Sequence, residues 1–254
     1  MPTRLRIGQV WIDNLNFDQA LSEIERLVDS RRGGFIFTPN VDHVVLAETD
    51  VEFRNAYQAA SLSLADGQPL IWSSRLLGVP LPERIAGSDL VVPLMQRAGQ
   101  RGWGVYLLGA GPGVAEAAAE RFQRDYGVRI AGVDAPTIGA AATPEEAVAL
   151  EKVRTTKPDL VLVALGSPKQ EIWIHRVSSA IHPSVAIGVG ASFDFIAGRV
   201  RRAPRWMAKS GLEWVFRISQ QPRLIRRYLF RDPKFLFIML KTMSLPRGER
   251  VTST

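Results

Sequence analysis

The sequence predicts an α/β fold, a Rossmann-like sandwich with a mostly parallel sheet, followed by a C-terminal basic helical appendage. Three observations predict it. Short apolar runs of strand length alternate with segments of helical periodicity through the first 198 residues. Several of those runs stop at polar or glycine-rich turns, as strands do at the ligand-binding edge of an open sheet. Beyond residue 198 the alternation ends, and aromatic, Leu/Ile and Arg residues interleave between prolines. The expected division is therefore an α/β domain over residues 1–198 and a basic amphipathic appendage over residues 199–254.

Taken in order, Ile7–Ile12 reads as a strand, and Phe17, Ala20, Leu21, Ile24, Leu27 and Val28 recur at helical spacing. Gly34–Phe37 is a short apolar strand ending in Thr38-Pro39-Asn40. After further helical patterns, Ser61–Ala65 is a strand ending in Asp66-Gly67. Gly102–Leu108 reads as a strand and Val114–Tyr126 as a helix. Val128–Val133 and Leu160–Leu165 are rich in β-branched residues and Leu, as strands buried on both faces should be. Val185–Val189 completes the series. Strands separated by helices of ten or more residues imply βαβ units and hence parallel pairing. No internal repeat or low-complexity linker interrupts them.

With 46% apolar residues, the chain can bury a sizeable core. There is no cysteine, which excludes disulfides, thiolate metal sites and Cys nucleophiles and fits a reducing cytoplasm. The first residues lack a signal peptide's apolar stretch, and no run of about 18 apolar residues would span a bilayer. Charge is unevenly placed: residues 199–254 carry 14 Lys+Arg against 3 Asp+Glu, whereas the rest carries 18 against 22. A near-neutral body with a strongly basic tail suits an anionic partner such as a phospholipid leaflet, a pyrophosphate or a nucleic acid. Trp206, Trp214, Phe216, Leu224, Ile225, Tyr228, Leu229 and Phe230 lie in that tail, cut by Pro204, Pro222 and Pro233. Basic amphipathic helices of this kind suit a membrane interface. They equally suit a helical subdomain packed on the core with a solvated basic face.

Gly109-Ala110-Gly111-Pro112-Gly113 follows a strand and opens a helix, where glycines let backbone amides approach a phosphate. Asp134 ends the next strand, about where a dinucleotide fold places its ribose-binding carboxylate. The spacing is G-x-G-x-G, with Val114 where the dinucleotide fingerprint needs glycine. Asp66 sits at a strand's C-terminal end and could accept a proton there, although locally Asp-Gly is an ordinary turn dipeptide. Asn40 is either a rim side chain or the cap of the following helix. Ser167-Pro168-Lys169-Gln170 resembles a capping box with Ser167 as cap and Gln170 at its third position. His43, His175 and His182 are scattered, without metal-ligand spacing, and read as surface or packing residues. No Asp-x-Asp, Walker, zinc or Ser-His-Asp pattern occurs.

Several longer strings occur in order: Thr38-Pro39-Asn40, Ala65-Asp66-Gly67-x-Pro69-x-x-Trp72, and Arg84-x-x-Gly87-x-Asp89-Leu90. Pro112-Gly113-Val114-Ala115-Glu116 and Gly166-x-Pro168-x-Gln170-Glu171-x-Trp173 follow. The longest is Gly188-Val189-Gly190-Ala191-x-Phe193-Asp194-Phe195-x-Ala197-Gly198. Arg202-Ala203-Pro204-x-Trp206, Gly211-Leu212-Glu213-Trp214 and Arg226-Arg227-Tyr228 close the set. Together, over about residues 8 to 240, they resemble the WecG/TagA/CpsF glycosyltransferases.

That resemblance implies an inverting transferase, independent of metal and cofactor, that moves a sugar from a UDP-sugar onto an undecaprenyl-pyrophosphate-linked saccharide. The sugar would be N-acetylmannosamine, its uronic acid or a glucose-type sugar, built into a cell-surface polysaccharide, teichoic acid or exopolysaccharide. It implies Asp66 as general base and Thr38, Asn40, Arg84, Gln170 and Asp194 as pocket residues. Gly188 and Gly190 would join Gly109, Gly111, Gly113 and Asp134 in holding the nucleotide. Arg217, Arg226 and Arg227 would grip the acceptor pyrophosphate, with the tail on the anionic inner face of the bacterial cell membrane. Residues 135–138, Ala-Pro-Thr-Ile, depart from the aromatic or His residues many members carry there, which leaves the sugar open.

Two other functions compete. An NAD-dependent oxidoreductase would use the Gly109–Gly113 loop and Asp134 but gives the basic tail no role. A nonenzymatic nucleic-acid-binding protein would use the arginines from Arg199 to Arg250 but gives the strand-end polar residues none; the expected partners include no nucleic acid. The tail is also suited to joining copies of the chain into a homo-oligomer.

Overall fold

The structure is a computed structural model and describes residues 3–139, 143–200, 207, 213–220, 225, 229 and 231–253. The chain opens with an antiparallel hairpin, β1 (Thr3–Ile7) and β2 (Val10–Asp13). The single strand expected over Ile7–Ile12 is thus two: Gly8, at φ +59, reverses the chain in a conformation that glycine adopts without steric penalty.

Helix α1 (Phe17–Asp29) follows, started by Asn16, whose side chain accepts from the Gln19 amide while Gln19 returns a bond to the Asn16 backbone. Then come β3 (Gly34–Phe37), α2 (Val41–Thr49), α3 (Val51–Ala59), β4 (Leu62–Ser63), α4 (Gln68–Leu76) and α5 (Gly87–Arg101). The second half runs β5 (Gly104–Gly109), α6 (Val114–Tyr126), β6 (Arg129–Asp134), α7 (Pro144–Thr156), β7 (Leu160–Ala164), α8 (Lys169–Val177), β8 (Val185–Gly188) and α9 (Ser192–Ile196).

Six of these strands form one parallel sheet in the order β4-β3-β8-β7-β5-β6. Helices cover both faces. Leu21, Ile24, Leu94, Ala118 and Phe122, from α1, α5 and α6, pack one side; Val44, Phe53, Tyr57, Val153, Trp173 and Ile174, from α2, α3, α7 and α8, pack the other. Strands enclosed on both faces must be apolar throughout, and β5, β7 and β8 are fully buried along their length. The same burial expected for Val128–Val133 is not found. β6 is the edge strand, begins on an exposed residue and is otherwise half-buried, because only β5 pairs with it.

Strand β4 is shorter than expected, but its pairing with β3 continues past the last regular residue. The Leu64 amide donates to Phe37 O at 2.9 Å and the Asp66 amide to Pro39 O at 2.8 Å. Asp13, buried at the end of β2, accepts from the Ser63 amide at 2.7 Å and pairs with Arg4. That contact joins the hairpin to the main sheet. Burial pushes the Asp13 carboxyl up, and the Arg4 charge opposes the shift.

The far end of the chain returns to the hairpin. A helix over Lys234–Ser244 buries Ile238, Met239 and Thr242 against α2 and β1, and Thr242 Oγ1 accepts from the Gly8 amide at 3.0 Å. A short helix, Arg247–Arg250, leads into β9 (Val251–Ser253), which pairs antiparallel with β1 to complete a three-stranded sheet, β2-β1-β9. This closing strand was not expected. Of the aromatic and aliphatic residues singled out in the tail, Trp206, Leu224, Tyr228 and Phe230 lie outside the described residues. Among the described residues, no helix is long and apolar enough to cross a membrane.

Gly109 shows how tightly the strand ends are held. It has φ +102, and an added Cβ would stand 2.7 Å from the Ala164 carbonyl oxygen of β7. Gly109→Ala therefore should destabilise the fold by about 2–4 kcal/mol, combining backbone strain with overpacking. Urea unfolding would check it through a lower midpoint at unchanged slope.

Candidate active site

In a parallel sheet every strand ends at the same edge, so the loops that follow β4, β3, β8, β7, β5 and β6 share one rim. Helix α6, after β5, lies on one face, whereas α8, after β7, lies on the other. The loops of these neighbouring strands therefore diverge, and a crevice opens between them. That is the topological position at which open α/β sheets bind ligands.

Asp66 stands at the β4 end of the rim, 23% exposed at its side chain, with Arg84 at 3.4 Å from its Oδ1. Arg84 reaches it from the loop before α5 and is itself held by Asp89 in the first turn of that helix, at 2.8 Å. The Ile85 amide bonds to Ala65 O at 2.7 Å, which fixes the Arg84 loop against the Asp66 turn. The acid and the guanidinium are thus set by backbone bonds on both sides.

Thr38 lies beside Gly87, where an added Cβ would come within 3.1 Å of Thr38 Oγ1 and 3.5 Å of Gly188 O. Gly87 thus sits where β3, β8 and α5 converge, with little room for a side chain beside Thr38. Asn40 caps α2, its Oδ1 accepting from the Asp42 and His43 amides at 3.0 and 3.4 Å. Cap and rim positions thus coincide in one residue. Gln170 does not complete the expected capping box: Pro168 caps α8 without a side-chain bond. Its side chain instead turns inward, donating from Nε2 to Glu171 Oε1 at 2.8 Å and accepting at Oε1 from the Gly190 amide at 3.0 Å. Those two partners satisfy both ends of the buried Gln170 amide, which an exposed capping position would not. Asp194 lies in the first turn of α9, directly after Gly190, and is half-buried.

The rim thus gathers Asp66, Thr38, Asn40, Gly188 and Gly190 on the ends of β4, β3 and β8, with Arg84 from the loop before α5 and Gln170 from the first turn of α8. The glycine loop and Asp134 lie farther along it. Gly109 ends β5, four strand spacings from β4, or about 19 Å. Gly111 and Gly113 lead into α6, and Gly113 occupies its cap position in the left-handed region. Asp134 is engaged on both oxygens, by the Tyr106 hydroxyl and by Lys152 Nζ at 2.6 Å. It borders an open depression of about 410 Å³, lined also by Ala135, Pro136, Pro144, Glu145 and Val148. Arg217 falls within a helix over Glu213–Gln220. Arg226 and Arg227 lie outside the described residues.

Beneath the rim is a polar layer that sequence reading missed. Glu171 is 1% exposed, and burial pushes its carboxyl up to about 7 against the opposing hydrogen bond from Gln170. Tyr57 is fully buried; burial, and then the charges of Glu171 and Asp66, raise its hydroxyl well above the ordinary value. His43 Nδ1 meets that hydroxyl at 2.8 Å, and the imidazole packs edge-on against Phe53. His43, expected as an ordinary surface or packing residue, is therefore hydrogen-bonded inside this layer. Asp42, also buried, pairs with Arg231 of the tail at 2.8 Å, across 189 residues of sequence. One signal for Glu171 was available. Gln170, Trp173, Ile174 and Val177 form an inward stripe on α8, and the adjacent Glu171 sits at its margin.

The model of the glycosyl transferase WecG/TagA/CpsF family matches residues 5–248. An N-acetylglucosaminyldiphosphoundecaprenol N-acetyl-beta-D-mannosaminyltransferase of Bacillus spizizenii is 34% identical over 215 residues, 84% of this chain and 81% of that protein. The Bacillus subtilis protein of the same name is 30% identical over 230 residues, 90% and 88% of the two chains.

The buried Glu171 has a measurable consequence. Its folded value of about 7 lies above the ordinary 4.5, so folding takes up a proton between those pH values. The stability it supports is full below about 4.5 and is lost as pH rises through 7. Glu171→Gln cannot ionise. Its stability relative to the parent should therefore rise across that window, by on the order of 3 kcal/mol, as followed by denaturant unfolding at a series of pH values.

Proposed function

The chain belongs to the WecG/TagA/CpsF family and is a glycosyltransferase, and we propose that it moves N-acetylmannosamine from a UDP-sugar onto a polyprenyl-diphosphate-linked N-acetylglucosamine with inversion. Both relatives are named for that sugar and that acceptor. The family places the chain apart from the oxidoreductase and nucleic-acid-binding readings. The observation that carries the mechanism is Asp66, a carboxylate at a strand end, anchored by Arg84 within a rim of polar side chains.

Asp66 takes the proton from the acceptor hydroxyl as that oxygen attacks the anomeric carbon. The bond from that carbon to the UDP oxygen breaks on the opposite face. Charge develops on the departing diphosphate, and backbone amides at the strand-end turns stabilise it. Their positions are fixed before reaction, so little reorganisation is needed. An extended nucleotide sugar runs along the rim from the glycine loop, Gly109 to Gly113, past Gly188 and Gly190 to Thr38, Asn40, Gln170 and Asp194. No metal ion enters this scheme, in keeping with a sequence that lacks Asp-x-Asp.

The tail brings the enzyme to its lipid-linked acceptor. On the helix Lys234–Ser244, Leu236, Phe237, Leu240 and Met243 are exposed beside Lys234 and Lys241. Such a face inserts into the headgroup boundary while its lysines meet anionic lipid. Arginines 217, 226 and 227 grip the acceptor diphosphate, whose oxygens match the planar guanidinium fork.

Asp66→Asn should lower turnover by about 10²–10⁴-fold, measured as acceptor-dependent UDP release in EDTA. UDP-sugar affinity should stay within about threefold; comparable turnover in the variant would sink the assignment of the base. Replacing Phe237 and Leu240 with Glu should weaken binding to vesicles rich in anionic lipid by at least about tenfold, because two large apolar side chains leave the interface. Co-sedimentation with unchanged affinity would refute the membrane role of this helix.

A further inference from the structure

We propose that Glu171 is a positioning residue for the transfer reaction, holding the Gln170 amide in the orientation that grips Gly190 and so sets the turn between β8 and α9. The assignment rests on the reading of the rim as the transfer site.

The contacts form a chain of three. Glu171 Oε1 accepts from Gln170 Nε2 at 2.8 Å, and Gln170 Oε1 accepts from the Gly190 amide at 3.0 Å. The Gln170 side chain lies flat on the turn: Nε2, Cδ and Cγ stand 2.9, 3.3 and 3.6 Å from where a Cβ on Gly188 would be. Gly190 has φ +52, and the next residues form the short helix that carries Asp194. Gln170 is therefore the strut between α8 and this turn.

An amide has a donor end and an acceptor end of nearly equal shape. The flipped orientation would set its NH₂ against the Gly190 N–H and its oxygen against the Glu171 carboxylate. Glu171 Oε1 keeps an acceptor lone pair whether or not the carboxyl carries a proton, and the Gly190 N–H can only donate, so the observed orientation is the one that satisfies both neighbours. Without that acceptor, the Gln170 NH₂ would be a buried donor with its partner removed. The amide then gains by rotating toward water and releases Gly190.

Glu171 also accepts from the Ser167 side chain just before α8, yet its burial remains costly. Both its Oε2 and its surroundings are closed to solvent, and its neighbours Trp173 and Ile174 belong to the apolar core. An apolar residue of similar volume would fill the position without the desolvation cost. What an apolar residue would not supply is the acceptor for Gln170.

The test reads Gly190 directly. In Glu171→Met, which keeps the volume and removes the acceptor, amide hydrogen exchange at Gly190 should accelerate at least tenfold, as it should in Gln170→Ala. In Glu171→Gln, whose amide oxygen can take the same bond, Gly190 should recover most of its protection. In the UDP-release assay, Glu171→Met should cost tenfold to a hundredfold in kcat/KM. On the Gln170→Ala background the same substitution should cost less than twofold, because its effect passes through Gln170. Unchanged Gly190 exchange in Glu171→Met, or an equal loss of activity on both backgrounds, would overturn the proposal. Should Glu171→Met not fold, Glu171→Asp withdraws the acceptor by one methylene and carries the same expectations. Gly190 exchange that responds as expected in a protein that transfers no UDP-sugar would leave the positioning role standing and remove the functional reading.

Discussion

The in-register parallel ladder through β3, β8 and β7 constrains the rest of the molecule. Ile187 of β8 is paired with Ile36 on one side and Leu162 on the other. Neighbouring strands therefore stop at nearly the same height. Helices cover both faces, so polar side chains have no place along these strands and appear where the strands stop. Thr38, Asp66, Ser167 and Gly190 all follow the last regular residues of their strands. The rim is thus a consequence of how parallel strands are buried, and its side chains are held by bonds between adjacent loops. The contact of the Asp66 amide with Pro39 O is one such bond, and that of the Ile85 amide with Ala65 O is another.

Below that rim the structure tolerates a polar layer that an ordinary core would exclude. Glu171, Tyr57, His43 and Asp42 are buried together, and each has a defined partner. Low local polarisability strengthens those bonds and also raises the cost of losing one partner. The carboxyl of Glu171, pushed up to about 7, and the raised Tyr57 hydroxyl are two expressions of the same burial. A layer of this kind confers rigidity: it leaves each rim group few alternative orientations, which is what an attack geometry requires.

The C-terminal segment is bound to this layer and to the N-terminal hairpin. Arg231 pairs with Asp42 one turn from the Asn40 cap, Thr242 receives the Gly8 amide, and β9 extends the hairpin. The outward side of the Lys234–Ser244 helix keeps Leu236, Phe237, Leu240 and Met243 exposed while its inward side fills the core. One helix therefore serves two surfaces, with its buried residues fastening the tail to the body and its exposed ones facing outward.

The sequence by itself determined most elements of the main sheet and its helices. The limits of α6 were legible because its stripe of Ala115, Ala118, Ala119 and Phe122 depends only on residues a turn apart. Gly34–Phe37 and the run Leu160–Leu165, of which Leu160–Ala164 is the strand, were legible because a buried strand must be apolar along its length. The ordered strings around Asp66, Arg84, Gln170 and Asp194 also pointed to the family. Tertiary structure alone decided what those side chains touch. Local signals made Ile7–Ile12 one strand and Gln170 a capping residue, and the packed chain made them a hairpin and a strut to Gly190. The pairing of Arg231 with Asp42, and of β9 with β1, joins residues roughly the length of the chain apart. Periodicity reports on neighbours within a few residues, whereas the partner of a buried polar group is chosen by whichever distant backbone or charge the fold brings within hydrogen-bond reach.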